Sequence, residues 1–195
     1  SQMNLFLLSK NIQECVKHLC DKHVVKMILE TCQILYCCWH VRAPLPPHDP
    51  ELKPYKKTHT NHPISIWVRH CEDHYQWTCM YGLLLCYEYT FRYKKVHKTQ
   101  AHLERLLQWG FPPKVLPEPP IKKQSKEWVY ATSGIPITFE YFPLCMDESS
   151  YMQTENGYDA VESYKHYYQT KQDKFKMEWR YSEKPTWFIN PQGSI

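Results

Sequence analysis

An all-α protein is what this sequence predicts, and three observations carry that expectation. Apolar residues recur at helical spacing over long stretches, above all in 19–39 and 74–93. No run of alternating apolar and polar residues marks out a strand series, and no internal repeat occurs. Glycine is scarce, at 5 residues, while the 15 prolines gather between the apolar stretches, as they do where extended loops join helices. A single domain over 1–195 is expected, because a chain of this length supports one core of ordinary size.

In order, Ser1-Gln2-Met3-Asn4 precede a short apolar run, Leu5 to Leu8. Ser9, Lys10 and Asn11 then offer a cap for a long first helix over 12–39, which Pro44, Pro46, Pro47 and Pro50 bring to an end. Pro63 suits the first position of a new helix and opens a central helical region over 63–95, with a restart near Glu72 or Asp73. From His74 to Tyr93 that region is apolar nearly all round, which places it at the centre of the core. A further helix, Thr99 to Trp109, stops at Gly110. Residues 111–157 hold most of the remaining prolines and read as a Pro-rich arm. Residues 158–188 supply the last helix, Tyr158 to Trp179, and an aromatic tail closing in Lys184-Pro-Thr-Trp-Phe188.

The first helix carries the unusual chemistry. At ~100° per residue, Val24, Met27, Ile28 and Leu35 share one side with Cys20 and Thr31. Lys22, His23, Lys26, Glu30 and Gln33 collect on the other. Such a face is ordinarily just solvated. Here a carboxylate, an imidazole and two cations stand together, and groups of that kind shift one another's acidity. Glu30 is therefore the leading candidate for catalysis, with His23 and Lys26 in support.

The formal net charge of +4 permits contact with nucleic acid without requiring it. Arg92, Tyr93, Lys94, Lys95, His97 and Lys98 form a basic and aromatic cluster. It suits phosphate contact with neighbouring stacking, or simply complements the negative end of a helix. Lys22, His59, His62 and Arg69 join Arg92, Tyr93, Lys94, Lys95 and Lys98 as candidate nucleic-acid-binding residues.

Other chemistries find less support. His59 and His62 stand three apart in a loop, with His70, Cys71 and His74 further on, but HExxH is absent and no carboxylate has a familiar metal spacing, so no metal is expected. Neither GxGxxG nor GxxxxGK[ST] occurs, and no cofactor is expected. The nine cysteines are odd in number, lack a CxxC pair and mostly occupy apolar helical positions. They read as buried thiols of a reducing, intracellular compartment. The Leu5–Leu8 run is too short to span a membrane, and no membrane partner is expected.

Two resemblances enter here. Asp21-Lys-His-Val-Val-Lys-Met-Ile-Leu-Glu30, Thr58-His-Thr-Asn-His-Pro63 and Glu88-Tyr-Thr-Phe-Arg-Tyr-Lys-Lys-Val-His-Lys98 resemble proteins of phages and large DNA viruses over nearly the whole chain. That likeness brings no function of its own. Those proteins begin at Met-Asn, so Met3 is the expected native start and Ser1-Gln2 an addition. The second resemblance rests on Asn4-Leu5, on Asp21-x-His23 with Glu30 seven residues on, and on the closing Lys-Pro-Thr-Trp-Phe188. These are similar to the phage pyrimidine-dimer DNA glycosylase (endonuclease V) family.

That resemblance implies a compact helical domain acting on double-stranded DNA that carries damaged or modified bases. It implies an α-amino group that attacks C1′ of the target nucleotide, here the amine of Met3, and a first-helix glutamate, here Glu30, that supports glycosidic cleavage and strand scission. The relatives' first-helix arginines are absent, with Leu29 beside Glu30 and only Lys22 and Lys26 to supply charge. A non-catalytic nucleic-acid-binding or virion-associated protein is the alternative, and an enzyme of nucleotides or RNA a third. The sequence leaves the oligomeric state open.

Overall fold

The computed structural model describes residues 4–120, 128–135 and 141–190. Six α-helices dominate them: α1 (Ile12–Lys17), α2 (Asp21–Arg42), α3 (Pro63–Val68), α4 (Glu72–Tyr93), α5 (Gln100–Trp109) and α6 (Ala160–Thr170). The fold is mostly helical. Two small antiparallel pairs qualify the all-α expectation. β1 (Tyr130–Thr132) pairs with β2 (Tyr141–Pro143) through Ala131 and Phe142, and β3 (Gln153–Thr154) pairs with β4 (Gly157–Tyr158). They lie mainly in the stretch expected to be a Pro-rich arm. With two or three residues apiece, these strands are too short to show alternation in the sequence.

α2 and α4 form the central pair, with α5 and α1 against α4 and α3 at one end. The close approach is set at Gly82, where a Cβ would stand 2.8 Å from Leu103 Cδ2 and 3.2 Å from Thr31 Cγ2. Leu5 to Leu8 run buried through this core. By length and composition α2 could cross a membrane, but 67% of its apolar window is buried inside the fold. All nine cysteines are free, and all but Cys71 are buried. Burial pushes the Cys15, Cys79 and Cys86 thiols up to about 12, which makes them inert packing groups at neutral pH.

Several ends have local causes. Asn11 Oδ1 caps α1 at the Glu14 N–H, and Asp159 Oδ1 caps α6 at the Glu162 N–H. His62 Nδ1 accepts from the Ile64 N–H, and Pro63 follows at the first helical position, where the sequence places a start. α4 ends at Lys94 in the left-handed region (φ 59°), and α5 ends at Gly110 (φ 76°).

The long first helix over 12–39 is instead two helices, broken at His18-Leu19-Cys20. No glycine or proline marks this break. Its backbone groups are satisfied from far along the chain. Arg92 donates to the carbonyls of Lys17 and Leu19 at 2.9 and 2.7 Å. Trp179 Nε1 donates to the His18 carbonyl, and the Cys20 N–H donates to the Tyr168 hydroxyl. Such remote partners leave no local mark on the sequence. The last helix is likewise shorter than Tyr158–Trp179, giving way after Thr170 to a 3-10 turn, Lys171–Asp173.

Candidate active site on the second helix

The face expected to be polar is not simply solvated. Lys22 and Lys26 reach solvent, while His23 and Glu30 are buried. Two hollows meet along α2 and share Lys26 and Glu30.

The first hollow, about 410 Å³, is walled by His23, Lys26, Met27 and Glu30 of α2 and by Asn4 and Phe6 of the N-terminal segment. Tyr167 of α6, Lys171 and Lys174 close it from the C-terminal side. Burial pushes the Glu30 carboxyl up from its ordinary value, and the charge of Lys26 holds it back in part. Lys26 Nζ stands 3.7 Å from Glu30 Oε2, an ion-pair distance too long for a hydrogen bond. Glu30 Oε2 has no hydrogen-bond partner among the described residues, and neither has Asn4 Oδ1. Asn4 spends its amide on the Cys145 carbonyl at 2.9 Å. Two buried acceptors thus face one hollow with nothing donated to them, an arrangement that favours an N–H-bearing group there.

His23 is fixed by rings. It stacks on Phe6 at 4.8 Å and meets the edge of Phe175 at 5.5 Å. Its Nδ1 lies 2.7 Å from the Tyr168 hydroxyl. Burial first, and then Lys171, Lys26 and Lys22, depress it to about 3, so it is a neutral imidazole at physiological pH. Lys171 Nζ sits over the Tyr167 ring at 4.6 Å, and Lys22 Nζ over Phe175 at 4.5 Å, which places cations around the rim.

The second hollow, about 380 Å³, lies on the other side of Glu30. His59, His97, Lys98 and Thr99 face Val25, Leu29 and Gln33 across it. His59 is held in the left-handed region at φ 53°, a conformation that costs a residue with a Cβ. Leu29, 41% exposed, stands next to Glu30 in the wall of this hollow.

The structure thus gathers Glu30, His23, Lys26, His59 and Lys98, with Lys22 at the margin. Others of the expected set lie elsewhere. Arg92 is turned inward with its side chain fully buried, bound to Glu88 at 2.7 Å, to Asp21 at 3.1 Å and to the α1–α2 break. Its guanidinium is spent on these partners within the fold. Arg69 is buried too, donating to the Thr60 carbonyl at 2.7 Å and lying 3.8 Å from Glu118. His62 is the cap of α3, and burial lowers it to about 4. Tyr93 stacks on Tyr89, while Lys94 covers Phe91 and Tyr181, so both belong to an aromatic cluster outside the two hollows. Lys95 is exposed beside them. Met3 lies outside the described residues. Among the described residues, no three His, Cys, Asp or Glu side chains gather as a metal site would require.

Sequence reasoning did not include Asn4, Tyr167, Tyr168, Lys171 and Lys174 in the site. The recurring tyrosines of the last helix were visible, but nothing local ties α6 to α2.

The model of one protein family, described as pyrimidine dimer DNA glycosylase, matches residues 3–101. The match runs from the N-terminal segment to the start of α5 and so covers the whole of the second hollow and all of the first except its C-terminal wall. No curated protein matches the chain, and no solved structure does.

Proposed function

The chain belongs to the pyrimidine dimer DNA glycosylase family, and on that premise we propose that it removes a damaged or modified base from duplex DNA and then cuts the strand at the abasic site. A glycosylase-type function and a DNA substrate follow from the family. The lesion, the duplex form, the lyase step and a viral source of the DNA are our extension, as is a reducing intracellular setting. The observation that carries this reading is Glu30, a buried carboxyl with an oxygen that accepts no hydrogen bond among the described residues, facing a hollow lined by Asn4.

The nucleophile in this reading is an α-amino group next in sequence to Asn4, which lines the hollow. Such an amine has a pKa near 7.7–8.0, so an appreciable fraction is nucleophilic at neutral pH. It attacks C1′, the bond from C1′ to the base breaks, and the base leaves with the bonding electrons. A carboxyl whose pKa is raised by burial is suited to hand the departing base its proton. Opening of the sugar ring leaves a Schiff base between the amine and C1′. Loss of a C2′ proton, for which the resulting Glu30 carboxylate is the base, then expels the 3′ phosphate. Reaching C1′ requires that the nucleotide leave the stack, and the two hollows beside Glu30 provide room for displaced groups.

The test is turnover on duplexes carrying a pyrimidine dimer or an abasic site. Glu30→Gln keeps the shape and removes proton transfer, so turnover should fall by about 10²–10⁴-fold while the protein remains folded. Undiminished turnover in that variant, or none in the wild type on either duplex, would contradict the reading. Retained duplex binding without turnover would favour the non-catalytic DNA-binding alternative.

A further inference from the structure

Tyr168 is fully buried on α6, and its hydroxyl oxygen accepts the Cys20 N–H at 2.9 Å. A phenol hydroxyl has one proton to donate. Burial holds that proton firmly on the oxygen, pushing Tyr168 well above the ordinary tyrosine value. Among the described residues the strong acceptor within reach is His23 Nδ1, at 2.7 Å, and the Cys20 side chain is a weaker partner of the same hydroxyl. The Cys20 thiol, 3.5 Å from the same nitrogen, is a much weaker partner. With Nδ1 accepting, a neutral imidazole carries its hydrogen on Nε2. Nε2 has no hydrogen bond among the described residues, and the ring lines the hollow that holds Glu30.

We propose that Tyr168 is a positioning residue that fixes His23 as the Nε2–H tautomer, so that His23 donates a hydrogen bond to an oxygen of the bound deoxyribose-phosphate beside Glu30. This rests on the DNA-processing reading above. The arrangement gives the site a neutral donor next to a carboxylate, where a cation would instead pair with Glu30. Lys171 beyond α6 and Lys26 and Lys22 of α2 all oppose a charged ring, Glu30 and Lys174 line the same hollow, and the Cys20 thiol faces the ring. The hydroxyl adds to that opposition by occupying the nitrogen that would take the second proton. Residues of α6 lie outside the segment that matches the family.

Nitrogen NMR of the imidazole tests the tautomer without any substrate. The wild type should show His23 with a protonated Nε2 and a bare Nδ1 through neutral pH. A protonated Nδ1, or a charged ring at neutral pH, would overturn the proposal. Tyr168→Phe should leave a tautomer mixture, lower kcat on abasic duplex about tenfold with KM little changed, and add an acid-side ionisation to the pH profile. An unchanged spectrum and unchanged rate in that variant would overturn it as well. If Tyr168→Phe fails to fold, His23→Gln and His23→Asn decide. Glutamine places an amide near Nε2 and should keep more activity than asparagine, and the reverse order would refute the donor role. If wild-type protein cuts no duplex, the family-based reading fails on its own, while the spectrum still decides the tautomer.

Discussion

At the scale of single residues, the acidity of the buried histidines, in the site and outside it, is set by burial more than by pairing. His23, His62 and His102 are depressed to about 3, 4 and 4, each chiefly by desolvation. In the unfolded chain each takes its proton near the ordinary value of 6.5. Between those values the unfolded state holds more protons than the folded one. Their contribution to stability is complete above about 6.5 and drains away as the pH falls towards 4 and then 3. Glu30, raised by burial, acts in the opposite sense just above its ordinary 4.5, but it is one group against three. The denaturant midpoint is therefore expected to drop on going from about pH 7 to about pH 5. His102→Gln, which has nothing to protonate, should flatten that slope. A midpoint that rises on acidification would contradict this account.

At the scale of elements, the α1–α2 break is the feature on which the rest is hung. Arg92 reaches from the end of α4 to Asp21, to Glu88 and to two carbonyls of the break, and Ser182 adds a bond to the same Glu88 oxygen at 2.8 Å. Arg92→Met takes the charged partner from the buried Glu88 and the part-buried Asp21 and the donor from two carbonyls, and should cost about 3–5 kcal/mol in a thermal or denaturant melt. The salt dependence of DNA binding should not move, because the Arg92 guanidinium is spent within the fold. An unaltered melt with a shallower salt dependence would restore Arg92 to the DNA-binding set. The sequence could not distinguish these roles, since an arginine near a basic helix end suits both. The same limit applies to the break, which contains no breaker residue. Where a signal is local it was legible: His62-Pro63 starts a helix, Gly110 ends one, and Pro44 follows the end of α2. The β1–β2 and β3–β4 pairs depend on partners across loops, and their strands are too short for any periodicity.

At the scale of the whole molecule, the site is an assembly of the two ends of the chain upon α2. Glu30, His23 and Lys26 could be read from the sequence because one helix presents them together. Asn4, Tyr167, Lys171 and Lys174 could not, because only folding brings them to the same hollow. Lys26, Lys171 and Lys174 place three cations around that hollow, with Lys98 on its neighbour. Affinity for duplex DNA should fall steeply with salt, and Lys171→Gln with Lys174→Gln should reduce the log–log slope by about 1–2. A slope unchanged by that pair would remove the C-terminal wall from the DNA-facing surface.

The measurement that tests the central claim most directly is borohydride trapping on abasic duplex, with the adduct located by mass spectrometry. The protein should begin at its natural first residue. The account predicts a covalent adduct on the N-terminal peptide through its α-amine, with turnover lost in Glu30→Gln. An adduct on a lysine side chain, or none on a duplex that the protein binds and cleaves, would contradict it.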